Sequence, residues 1–157
     1  NVLQKYNIDY MIDIHHQGTN SAIEDELVSG SILHPTTPNV DENVVHKSKQ
    51  LGAIVYNNIN PQGWGNLAKY GGGSAETIAR NGIAVQYDIA TLLFEMRGMS
   101  DHSNPSAVLG QKSNGYLIKQ TVDTLESTAR AVADGSVNEQ DVSFWDTLPE
   151  QTSRETE

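Results

Sequence analysis

Hydrophobic and polar positions change period several times along this chain, and each change marks an element. Val2 to Tyr6 reads as the last turn of a helix with Asn7 as its C-cap, and Ile8 to Ile14 is apolar except for two aspartates. Such a near-continuous run predicts a strand covered on both faces. Gln17 to Asn39 loses all periodicity, carries Pro35 and Pro38, and predicts a long irregular loop of the kind usually reserved for function or disorder. Asp41 then suits the N-cap of a helix to about Asn57, with Val44, Val45, Ser48, Leu51, Ile54 and Val55 as its buried stripe.

A second loop, Asn58 to Gly73, ends in Gly71-Gly72-Gly73-Ser74. Ser74 to Arg80 predicts a short helix opened by a serine cap and closed by Asn81-Gly82. Thr91 to Met96 predicts a second apolar strand. Asn104-Pro105 opens a long helical region reaching Asp134-Gly135, with Leu109, Tyr116, Ile118, Val122, Leu125, Ala129 and Val132 as its stripe; Gly110 and Gly115 should break or kink its first part. The order of elements implies an α/β fold, a mixed and mostly parallel sheet flanked by helices, over residues 1–135. Residues 136–157 form a polar, acidic extension, packed through Phe144 and Trp145 and then disordered, and no internal repeat is visible.

Composition narrows the functions. With 157 residues the chain can bury one real core, although 37% hydrophobic residues and a mean hydropathy of -0.46 point to long loops or frayed ends. A net charge of -10 argues against nucleic acid or an anionic membrane as partner. Part of that charge is local, since Glu139 to Glu157 holds six acids and one base, Arg154. The absence of cysteine excludes disulfides and thiolate zinc sites without fixing a compartment, so any metal must rest on His and carboxylates. No apolar stretch approaches the roughly 20 residues of a membrane span, and no signal peptide is evident. The chain opens on Asn1 in mid-pattern, as expected of a piece of a longer protein.

Two strand ends carry the candidate chemistry. Met11 to Gly18 (Met-Ile-Asp-Ile-His-His-Gln-Gly) and Thr91 to Gly98 (Thr-Leu-Leu-Phe-Glu-Met-Arg-Gly) each deliver a reactive group at the carboxyl end of an apolar run. Ligands and catalytic groups gather at such ends in α/β sheets. Alternation keeps His15 and His16 from one metal: His15 shares a face with Asp13, whose carboxylate could orient a ligating imidazole. The plainer reading is one satisfied and one solvated histidine. On the later strand, Thr91, Leu93, Glu95 and Arg97 share a face. A carboxylate among apolar neighbours has its pKa raised toward that of a general base, unless Glu95 is simply the ion-pair partner of Arg97. The glycine run lacks the lysine and spacing of a P-loop and reads better as a flexible substrate loop with Tyr70 as a movable aromatic. No G-x-S-x-G elbow is present.

Taken together, Ile12-Asp13-Ile14-His15 before a long loop, Gly72-Gly73-Ser74, and Leu93-Phe94-Glu95-Met96-Arg97 resemble the carboxyl-terminal half of the zinc carboxypeptidases of the carboxypeptidase A type, over about Ile8 to Asp134. The resemblance implies His15 as one zinc ligand, Glu95 as general base, and Arg97 as the arginine that accompanies that base; Tyr70 and Arg97 are expected to bind substrate. It also implies zinc as cofactor, a peptide as substrate, and peptide-bond hydrolysis as the reaction.

The departures are equally specific. In that family two further zinc ligands come from an upstream His-x-x-Glu motif, and here the residues three after the five histidines are Gly18, Thr19, Thr37, Lys49 and Pro105. The family's carboxylate-gripping arginines also fall upstream, and its mobile tyrosine aligns near Ala68, with Tyr70 only a neighbour. The expected partner is therefore an amino-terminal part of the same protein, without which this piece should be inactive. Two alternatives stay open: a deacylase or peptidoglycan-peptide hydrolase on the same scaffold, or a non-catalytic carboxypeptidase-like module that binds peptide or a partner chain.

Overall fold

The computed structural model describes residues 2–98 and 111–153, and for residues 111–114 the backbone alone. After a short helix α1 (Val2–Lys5) come β1 (Tyr10–Gln17), β2 (Ser21–Ile23), β3 (Glu26–Leu27) and β4 (Gly30–Leu33). Helix α2 (Glu42–Ile59), β5 (Leu67–Lys69), α3 (Ala79–Tyr87), β6 (Ala90–Arg97), α4 (Gln111–Asp134) and β7 (Thr152–Ser153) follow, with short 3-10 turns at 60–62, 136–139 and 143–146. The main sheet has the order β1-β6-β4-β5, with β1/β6 and β4/β5 parallel and β4/β6 antiparallel. The fold is thus α/β with a mixed, mostly parallel sheet flanked by helices. A small antiparallel sheet, β3-β2-β7, caps one side.

Strand β6 organises the core because it has a neighbour on both edges and is buried from Ala90 to Met96. Leu92, Phe94 and Met96 pack against Leu51, Val55 and Ile59 of α2, with Trp145 and Leu148 completing the cluster. Gly52 permits that closure, since a Cβ there would strike the Trp145 indole. Trp145 is further fixed by its Nε1–H donating to the Lys49 carbonyl. The alternate side chains of β6 face α3, where the Thr91 hydroxyl donates to the Arg80 carbonyl. Asp41 caps α2 by accepting from the Asn43 N–H.

Several elements differ from the sequence reading. β1 runs on to Gln17, because it pairs with β6 through Gln17 and Arg97, so both histidines lie within the strand. The stretch 17–39 is not a loop: it contains β2, β3 and β4, and β4 is an inner strand with all four residues buried. Four residues are too few for periodicity to register, and Gly30 and Ser31 dilute its apolar signal. Strand β5 is hidden in the second loop for the same reason.

The short helix at Ser74 to Arg80 is also displaced. Helix α3 begins at Ala79, and Asn81-Gly82 lies inside it. The Asn81 side chain does not end the helix but ties loops to it, accepting from the Thr36 N–H and donating to the Gly73 and Ala75 carbonyls. In α4, Gly115 causes no break, and the buried side is Leu117, Gln120, Thr124, Thr128 and Ala131. Tyr116, Ile118, Val122, Leu125, Ala129 and Val132, expected inside, are exposed. The close face is chosen by polar fit: Gln120 donates to the Ser29 carbonyl, and Asn58 to that of Asp123. Leu109 and Gly110, with the expected helix start at Asn104-Pro105, fall outside the described residues. Beyond α4, Val137 and Trp145 are buried, and Thr152–Ser153 pair with β2.

Candidate functional site

Parallel pairing of β1 and β6 sets His15 directly beside Glu95 at the carboxyl ends of both strands. The His15 Nδ1 lies 4.0 Å from Glu95 Oε1, and its Nε2 lies 2.9 Å from Asp13 Oδ1. Asp13 is two residues back on the same face, so strand alternation itself brings carboxylate and imidazole together. With Nε2 engaged by Asp13, Nδ1 is the ring nitrogen turned toward Glu95. His16, on the opposite face, is exposed.

These groups open onto a cleft of about 430 Å³ lined by Asp13, His15, Tyr70, the glycines 71–73, Arg80 and Glu95. That size falls in the range of small-ligand sites. Glu95 is 6% exposed, and its Oε2 has no hydrogen-bond partner among the described residues. Burial pushes its pKa up, the His15 ring opposes that shift, and Asp13 adds to it. Tyr70 is likewise raised, first by burial and then by Glu95, while Arg80 acts in the other direction. The Tyr70 hydroxyl therefore stands in the fields of both the acid and the guanidinium.

Sequence reasoning singled out His15, Glu95, Tyr70 and Arg97. The structure gathers the first three in one cleft. Arg97 lies outside its lining, and no ion pair with Glu95 forms among the described residues. Among the described residues its Nε is buried without a hydrogen-bond partner, as are both amide atoms of its strand neighbour Gln17. Burial lowers the Arg97 pKa. Of the remaining histidines, His34 is not in the cleft lining: burial depresses its pKa to about 4, and its ring stands edge-on to Trp145. His102 falls outside the described residues.

Arg80 is the cleft residue that sequence reasoning missed. Its only signal was a cation within Ile78-Ala79-Arg80-Asn81, soon after a glycine run, and that is indistinguishable from a solvated helix residue until the fold is known. The glycine loop crosses directly over it: a Cβ on Gly72 would come within 2.8 Å of Arg80 Nη2.

Comparison with protein-family models, with curated proteins and with solved structures finds no match. A carboxylate with a raised pKa, an imidazole oriented by a second carboxylate, and a neighbouring phenol form a set suited to proton transfer beside a Lewis acid or an activated water.

Proposed function

We propose that this chain carries one zinc ligand, His15, and the general base, Glu95, of a zinc-dependent peptide-bond hydrolase of the carboxypeptidase type. The observation that carries the reading is the pairing of His15 with Glu95, 4.0 Å apart at the ends of adjacent parallel strands above a cleft. The donor set suits zinc in part. His15 offers an imidazole nitrogen, and its other nitrogen is held by Asp13, the arrangement that fixes a ligating ring. Among the described residues no group of three or more His, Asp or Glu is placed to hold an ion. The remaining ligands of a three-ligand centre would come from outside them, in an upstream part of the protein.

Bound zinc would polarise the scissile carbonyl and acidify water at the site. Glu95 accepts the proton from the water whose oxygen bonds to the carbonyl carbon. It then returns that proton to the amide nitrogen as the C–N bond breaks. Burial equips it for both tasks, because a raised pKa shortens the gap between holding and releasing the proton at neutral pH. Tyr70 lines the same cleft beside the glycine loop and would contact the substrate chain.

The test is digestion of a mixed peptide set by the intact protein, read by mass spectrometry. Loss of single carboxyl-terminal residues, stopped by a chelator and restored by zinc, is the expected result. Cleavage that persists in chelator, or no cleavage with zinc present, overturns the reading.

A further inference from the structure

Glycine runs are conformationally free, and residues 71–73 have the composition of a movable flap. The structure ties this run down at both ends. At its start the Tyr70 N–H donates to the Ile32 carbonyl of β4. At its finish the Gly73 carbonyl accepts from three donors, the Thr36 hydroxyl, Arg80 Nη2 and Asn81 Nδ2. In between, Gly72 lies so close to Leu33 and the Arg80 guanidinium that a Cβ would strike both. Opening such a flap would break these contacts together.

Arg80 is the centre of the fastening. It is 1% exposed, and its side chain is the largest of the fully buried ones. Besides Gly73, it donates from Nε to the His34 carbonyl and from Nη2 to the Thr36 hydroxyl, so one rigid plane binds two loops. Asn81 repeats the pattern, accepting from the Thr36 N–H and donating to the Ala75 carbonyl as well as to Gly73. The Arg80 carbonyl in turn accepts from the Thr91 hydroxyl of β6, on the face of that strand that carries Glu95. The glycine wall and the acid are thus held to one strand. A buried guanidinium is costly to leave unbonded, and its hydrogen bonds are roughly twice as strong as neutral ones. Losing them to a moving loop would be correspondingly unfavourable.

We propose that Arg80 is a positioning residue of the cleft: with Thr36 and Asn81 it locks residues 71–73 as a fixed wall and so sets the place of Tyr70 relative to Glu95. The cleft is then formed before substrate arrives, and no flap closes over it. That Tyr70 meets a peptide rests on the reading proposed above; the lock rests on Arg80 and its neighbours alone.

Relaxation-dispersion NMR on the backbone amides of Tyr70 to Gly73 in the intact protein tests the lock, without zinc or peptide. The parent should give single resonances with flat dispersion. Folded Arg80→Met should show exchange at these amides, while β1 and β6 keep their parent shifts. Thr36→Val removes one donor to Gly73 and one acceptor of Arg80 while keeping the side chain's shape, and should show the same change more weakly. Exchange at Gly71 to Gly73 in the parent overturns the proposal, even if Arg80→Met does not fold. So do amides that Thr36→Val and any folded Arg80→Met leave unaltered. Kinetics then read the positioning role. With His15 and Glu95 held by paired strands rather than by the loop, Arg80→Met should raise KM for a peptide by about 10-fold and leave kcat within about threefold. A fall in kcat at unchanged KM would contradict that role. Because the amides are read without turnover, the peptidase reading can fail while the lock stands, and the reverse.

Discussion

Glu95→Gln separates a working carboxylate from a structural one, because the two roles predict opposite pairs of results. Among the described residues Glu95 Oε2 has no partner, and its Oε1 meets His15 at 4.0 Å, where the His15 side chain is 55% exposed. A contact so exposed on one side is worth about 0–1 kcal/mol. Against it stands the desolvation that raises the Glu95 pKa, a cost that glutamine does not carry. The net change in stability should stay within about 1 kcal/mol, or about 2–4 °C in Tm for a protein of this size or somewhat larger. The pH dependence has a definite sign. With its folded pKa raised, Glu95 favours the fold fully below its unfolded pKa of about 4.3, and that benefit is lost as pH rises through the folded pKa. Glutamine does not titrate, so the variant should gain on the parent between pH 4 and neutrality. The barrier, by contrast, should rise by about 2.7–5.4 kcal/mol, a 10²–10⁴-fold loss in kcat. Thermal unfolding across pH and initial rates on a peptide substrate of the intact protein supply both readouts. Near-normal turnover, or a large loss of stability with it, would make Glu95 a packing residue and refute the mechanism.

Three further outcomes follow from the same structure. The acid limb of kcat/KM should fall above the ordinary carboxylate range, since burial raises Glu95; a limb at or below that range would show another group titrating. Zinc should bind the 157-residue chain weakly, because His15 is one ligand of three, and submicromolar one-to-one binding by calorimetry would mean that the ligands are misassigned. Trp145→Ala should cost about 3–5 kcal/mol in denaturant unfolding, as a buried indole closing on Gly52 and Leu92 is lost; a change under about 1 kcal/mol would show that residues 143–148 are dispensable to the core.

The meeting of His15 with Glu95 was legible because β1 and β6 are the two strands whose apolar runs are long enough to read, and both end at glycine. Alternation then placed Asp13 beside His15 and Leu93 beside Glu95. What stayed hidden depends on contacts distant in sequence. β4 and β5 are too short to show a period, yet they complete the sheet. The inner face of α4 is chosen by Gln120 reaching Ser29 rather than by its isoleucine and valines, so the hydrophobic stripe pointed the wrong way. Arg80 could not be placed in the cleft from sequence because its burial is made by loops at 34–36 and 71–73 folding over it.

The central claim, a metal at His15 served by Glu95, is tested most directly by anomalous scattering at the zinc edge from crystals of the intact protein soaked in zinc. The account predicts a zinc peak about 2.0–2.1 Å from His15 Nδ1, with Asp13 still on Nε2 and the Glu95 carboxylate facing the ion without ligating it. A zinc peak elsewhere with His15 unligated, or one coordinated directly by Glu95, would contradict it.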